Sequence, residues 1–204
     1  MITASNFKEL LLQLGFSQTG NVFYKEFSVI DAYLRVDFDQ QELIYPEDKG
    51  LKINERQTCN FRANENFVVF ECVYRLFEKG YKPQYIELEP RWQVGHGASG
   101  GRADILIRDN DSKALLIIEC KTWGNEFDDA WKDTLNDGGQ LFSYAHQERS
   151  TQYLCLYASG LEDSVLKYAS HIIAVRDNDD ILKRKAAENP PTYRDADSVK
   201  DLYV

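Results

Sequence analysis

The sequence contains no apolar run approaching the roughly 20 residues that a bilayer-spanning helix needs, so no membrane association is expected. Its start, MITASNFKELLLQLGF, lacks the basic, apolar and small-residue segments of a secretory signal. A cytoplasmic protein is the expectation. Four cysteines, Cys59, Cys72, Cys120 and Cys155, form no CxxC pair and no Cys/His cluster, which argues against a disulfide framework or a zinc site and for idle thiols. His96, His146 and His171 have no ligand spacing either. Positive charge is scarce: 24 Lys and Arg face 33 Asp and Glu, a formal net charge of −9. A surface of that sign is not, as a whole, a nucleic-acid footprint. Internal repeats and low-complexity tracts are absent as well.

What is present reads as a globular chain of 204 residues, long enough for a sizeable core. Phe7, Leu10, Leu11 and Leu14 stand at helical spacing within residues 4–14. NVFYKEF and AYLRVDFDQQELIYP read as strands, the second a hairpin turning near Asp39–Gln41. Lys49 to Phe61 is polar, and a boundary there leaves 1–60 as a small α+β appendage, 61–180 as a core domain and 181–204 as a charged tail or linker. NENFVVFECVYRLFEKG is a helix, with Asn64 as its N-cap and Gly80 just past its end. Strands follow at YIELEP, GRADILI, ALLIIEC and QYLCLYA, with a helical stretch over roughly 126–147 before the last. That order predicts an α/β (α+β) fold with a mixed central sheet flanked by helices.

One segment, GRADILIRDNDSKALLIIECK, carries chemistry. DNDS is a turn signal between two strands, so the hairpin brings Asp104 near Glu119. Glu119 and Lys121 are two apart and leave the same face of a strand. Leu115 to Ile118 mark that strand as buried on both faces. Unpartnered charges at the end of such a strand are costly, and two converging carboxylates call for a cation between them. Hard oxygen ligands that leave room for water and phosphate suit Mg²⁺. The bland reading is that Asp104 caps a turn while Glu119 and Lys121 lie at a solvated strand end.

GRAD, then IIECK, then Gln140-Leu-Phe-Ser-Tyr144 together resemble the PD-(D/E)xK nuclease superfamily. The resemblance covers roughly residues 64–158 and is nearest the branch of RecB-like nucleases and N-terminal domains of type I restriction subunits. Ala103 stands where the motif's proline would be. The resemblance implies a restriction-endonuclease-like fold and Mg²⁺-dependent hydrolysis of DNA phosphodiesters, with Mn²⁺ able to substitute. Asp104 and Glu119 would bind the metal, Lys121 would position the attacking water, and Gln140 and Tyr144 would support the substrate side. It also implies a glutamate from the preceding helix. Glu71 falls within the apolar face of Phe67, Phe70, Tyr74 and Phe77, while Glu65 lies off that face nearer the helix start; geometry favours Glu71. The layout further resembles the leading domain of fused restriction–modification polypeptides, implying DNA and methyltransferase, specificity or translocase domains or subunits as partners.

Two alternatives stay beside this, the first a structure-selective repair or recombination nuclease with the same active site. The acidic charge and the unassigned first 60 residues fit an inactive nuclease-fold module that positions DNA or docks subunits. Gly95-His-Gly97-Ala-Ser-Gly100 matches a dinucleotide fingerprint, but it runs into a strand rather than opening a helix. Lys132, Asp128, Asp129 and Asp133 read as a solvated helix face, and Trp92, Trp123 and Trp131 as packing residues.

Overall fold

The computed structural model of the chain describes residues 1–92 and 101–178; the Gly95–Gly100 motif, His96 and the 181–204 tail lie outside the described residues. A first helix, α1 (Phe7–Gln13), buries Phe7, Leu10 and Leu11, as their spacing predicts. Four strands follow, β1 (Ser17–Thr19), β2 (Val22–Phe27), β3 (Ala32–Asp37) and β4 (Glu42–Ile44), forming an antiparallel sheet in that order. The β3–β4 hairpin turns at the expected place: Asp37 Oδ1 accepts from the backbone N–H groups of Asp39 and Gln40, and Gln41 takes a positive φ.

The second sheet has six strands in the order β10-β9-β8-β7-β6-β5. These are β5 (Lys52–Ile53), β6 (Ile86–Leu88), β7 (Ile105–Arg108), β8 (Ala114–Thr122), β9 (Tyr153–Glu162) and β10 (Val165–Ala174). β8 runs parallel to β9 and β5 parallel to β6; the other neighbours are antiparallel. The fold is therefore mixed α+β with a mixed central sheet, as the element order implies.

Helix α2 (Asn64–Glu78) packs on one face of β8 and β9, and α3 (Asn125–Asp137) and α4 (Gly139–Gln147) pack on the other. The pleat of β8 explains the division. Leu116, Ile118 and Cys120 join the α2 side, whereas Ile117 joins a separate cluster with Leu154, Leu156, Phe142 and Tyr144. Glu119 and Lys121 therefore project toward α3 and α4. The α2-side cluster runs without a break into α1 and the four-stranded sheet, through contacts such as Phe7–Phe67 at 4.6 Å and Phe27–Phe77 at 5.2 Å. Residue 60 thus separates neither the sheets, since β5 belongs to the second one, nor the cores.

Two local expectations are corrected, and one strand is added. Asn64 is the first helical residue of α2, the cap position is Ala63 with no side-chain cap bond, and Asn64 Nδ2 lies 3.3 Å from the Met1 sulfur. The helical stretch over 126–147 is two helices, parted where Gly138 and Gly139 both take positive φ. The chain after β9 also continues into β10, which pairs with β9 along its whole length.

Candidate active site

The β7–β8 hairpin brings the site together. Ile105 pairs with Ile118, so Asp104, one residue before β7, stands opposite Glu119 near the end of β8. The DNDS turn closes the hairpin's far end, with Asp109 Oδ1 accepting from the N–H groups of Asp111 and Lys113. A register shift at Ile107/Arg108 makes a bulge there, away from the acids.

Asp104 and Glu119 are 7% and 4% exposed. The Cys120 N–H donates to Asp104 Oδ2 at 2.7 Å. Lys121 Nζ is 2.6 Å from Glu119 Oε1 and 3.5 Å from Glu65 Oε2. The Tyr144 hydroxyl lies 3.0 Å from Glu119 Oε2 and 2.7 Å from the Arg102 carbonyl, donating to one of them at a time. Gln140 Nε2 donates to that same hydroxyl oxygen. Glu119, Lys121, Gln140 and Tyr144 thus form one hydrogen-bonded chain, and Asp104 is tied beside it through the Cys120 N–H. The helix spacing of four places Gln140 and Tyr144 on one face of α4, and that face meets the end of β8.

Charge in this group is not balanced. Burial, then the neighbouring Glu119 and Glu65, hold the Asp104 carboxyl well above the usual carboxylate range, against the Cys120 N–H and Lys121. Burial also raises Glu119, with Lys121 and Tyr144 opposing. Burial pulls Lys121 down, but Glu119 and Glu65 outweigh it and the ammonium is held charged. Burial and then Glu119 push the Tyr144 phenol upward, so it is a donor at neutral pH. Three carboxylates share one ammonium, a set that a further cation would relieve.

The oxygen-rich donor set fits a hard divalent cation. Among the described residues, however, no three His, Cys, Asp or Glu side chains stand in a metal-ligating group. Each Glu119 oxygen has one partner, Lys121 at Oε1 and Tyr144 at Oε2, which leaves each a further lone pair. Beside the group opens a cleft of about 610 Å³, lined by Glu119, Lys121, Glu126, Asp129, Asp133 and Gln140 among others.

Glu71 is not part of this group, which corrects the expectation that favoured it. It is fully buried on the α2 side, paired with Arg75 at 2.5 Å and accepting from the Tyr157 hydroxyl at 2.6 Å. An apolar-face acid here satisfies the core. Glu65, in the first turn of α2, is the helix glutamate that reaches Lys121. Lys132 is an exposed partner of Asp129, and Trp92 packs on the Tyr144 ring at 5.4 Å. His171 stacks between Phe127 and Trp131, and the four cysteines are free thiols.

Two positions were not legible as site residues. Gly101 lies against Tyr144, where an added Cβ would stand 2.8 Å from Cε1. Arg102 contributes through its carbonyl, and a backbone acceptor leaves no trace in residue type. No protein-family model matches the chain, and a search of curated proteins finds no significant match. Among the described residues no helix is long and apolar enough to cross a membrane.

Proposed function

We propose that this chain is a Mg²⁺-dependent deoxyribonuclease domain of the PD-(D/E)xK kind, hydrolysing DNA phosphodiesters in a cytoplasmic restriction–modification assembly. One observation carries the reading: Lys121 and Tyr144 bond to Glu119 at a buried strand end, Gln140 bonds to Tyr144, and Asp104 accepts from the backbone N–H between Glu119 and Lys121. When bound, Mg²⁺ supplies charge to polarise the scissile phosphate and lowers the pKa of a coordinated water. Asp104 and Glu119 would hold it, with Glu65 as the third carboxylate at hand.

The chain's own groups divide the remaining work. Lys121, kept protonated by Glu119 and Glu65, provides a cation for the attacking water or for charge growing on phosphorus. Tyr144 fixes the plane of the Glu119 carboxylate, and Gln140 directs the Tyr144 proton away from itself. Low exposure of both acids excludes competing water. Phosphate affinity at longer range comes from partners, methyltransferase, specificity or translocase domains or subunits, because the chain itself carries −9.

Lys121→Ala should reduce Mg²⁺-dependent cleavage of duplex DNA at least about 10²–10³-fold with the fold unchanged by circular dichroism. Undiminished cleavage would refute the mechanism. The second reading, an inactive docking or DNA-positioning module, is favoured by the net charge of −9. Calorimetric titration with Mn²⁺ separates the two: saturable binding removed by Asp104→Asn supports the nuclease, and no binding supports the docking module.

A further inference from the structure

Near the acid–lysine group a second cluster of charge has its sign reversed. Arg91 and Arg102 face each other across an isolated antiparallel bridge. Both guanidinium groups converge on one carboxylate, Glu55: Arg91 Nε contacts Oε1, and Arg102 Nη1 is 3.3 Å from Oε2. Gln57 Nε2 donates to that same Oε2 at 3.2 Å. Arg102 is two residues before Asp104, and its carbonyl is 2.7 Å from the Tyr144 hydroxyl that contacts Glu119. The arginine pair is therefore fixed to the rim of the candidate active site.

We propose that Arg91, Arg102 and Gln57 form a phosphate-binding subsite for the substrate strand, and that Glu55 occupies it until a phosphate displaces the carboxylate. The inference rests on the nuclease reading for its substrate. Two guanidinium groups, each giving one nitrogen, and an amide directed at a pair of oxygens suit a phosphate at least as well as a carboxylate, since guanidinium binds either. The Glu55 side chain is not needed to hold its own loop. The buried Glu89 carboxylate does that, accepting from the backbone N–H groups of Glu55 at 2.8 Å and Thr58 at 2.5 Å. The Arg91, Arg102 and Glu55 side chains are 61%, 32% and 22% exposed, so solvent and ligand reach the pair, and such an ion pair has little net strength to resist exchange. Displacement also makes electrostatic sense. Asp104, Glu119 and Glu65 repel a polyanion, and releasing two arginines beside them offsets that repulsion only when phosphate is present.

The test is binding of a fluorescein-labelled duplex oligonucleotide to the full chain in EDTA, where no metal-dependent hydrolysis occurs, across a salt series. Glu55→Gln should tighten binding roughly threefold to tenfold at low salt and steepen the salt dependence. Arg91→Gln and Arg102→Gln should each weaken binding and flatten the log–log salt slope by about one, with Arg102→Lys recovering the slope but not the full affinity. Unchanged affinity and slope in Glu55→Gln and in both glutamine variants of the arginines, each folded by circular dichroism, would overturn the proposal and leave the trio as a loop fastener. Cleavage is read separately. Variants that shift binding as stated while no divalent cation supports cleavage keep the subsite and refute the nuclease; cleavage with unshifted binding does the reverse.

Discussion

Glu65 and Glu71 lie six residues apart on one helix and meet opposite fates, which makes them a paired test. Glu71 is fully buried between Arg75 and Tyr157, and truncating it strands a largely buried guanidinium and a buried hydroxyl. Glu71→Ala should therefore lower unfolding free energy by about 2–4 kcal/mol, read as a fall in the urea midpoint, and leave cleavage per folded molecule intact. Glu65→Gln should do the opposite, changing stability by less than about 0.5 kcal/mol while weakening Mg²⁺-dependent cleavage. A loss of cleavage in folded Glu71→Ala would contradict the placement of the site. Cys59 offers a residue-scale test of pH. Burial, then the Glu89 carboxylate, push its thiol up to about 11. A raised thiol pKa means less thiolate at any pH below it, so alkylation should climb about tenfold per pH unit from 8 to 10. A plateau near pH 9 in mass-resolved labelling would show an ordinary thiol.

At the scale of elements, the approach of α4 to the β7 entry is set by the absence of a side chain at Gly101. A Cβ there would stand 2.8 Å from the Tyr144 ring, and the ring is 0% exposed with nowhere to retreat. Gly101→Ala should cost about 1–3 kcal/mol and tilt Tyr144 away from Glu119, lowering cleavage. Full activity in Gly101→Ala would show that the Tyr144–Glu119 contact is dispensable. The same elements show what could be read in advance. β8 was legible because LLIIECK joins an apolar run to charges at alternate positions, and α2 because its apolar spacing and Gly80 mark it. β10 was not: it is an edge strand carrying Lys167, Ser170 and His171, reached through a tight turn at Asp163–Ser164. Both turn residues take positive φ, yet neither is the Asn or Gly that announces such a turn. The α3–α4 corner is written as Gly138–Gly139, but continuous helical periodicity on both sides masks the break. Of the site, the strand residues followed from hairpin spacing, and the Gln140/Tyr144 pair was singled out only by the resemblance. The choice between Glu65 and Glu71 did not, because it turns on where α2 lies over the sheet.

For the whole molecule, the question is whether the site-bearing part stands alone. Strand β8, helices α2 to α4 and the acid–lysine group lie after residue 60, which invites a fragment of residues 61–178. The packing argues against one. Phe67, Phe70, Tyr74 and Phe77 of α2 face Phe7, Phe16 and Phe27 from the first part of the chain. Re-exposing four such side chains costs on the order of 6–12 kcal/mol, comparable with the 5–15 kcal/mol by which whole domains are stable. The cut also removes β5, uncovering the edge of β6, and removes Glu55, leaving Arg91 and Arg102 without their carboxylate. The fragment should lack near-ultraviolet circular dichroism, bind a hydrophobic dye and aggregate, while a chain of residues 1–178 unfolds in one cooperative transition. A fragment of residues 61–178 that melts cooperatively with native-like aromatic signals would show that the two cores are separable and that the first 60 residues are an appendage after all.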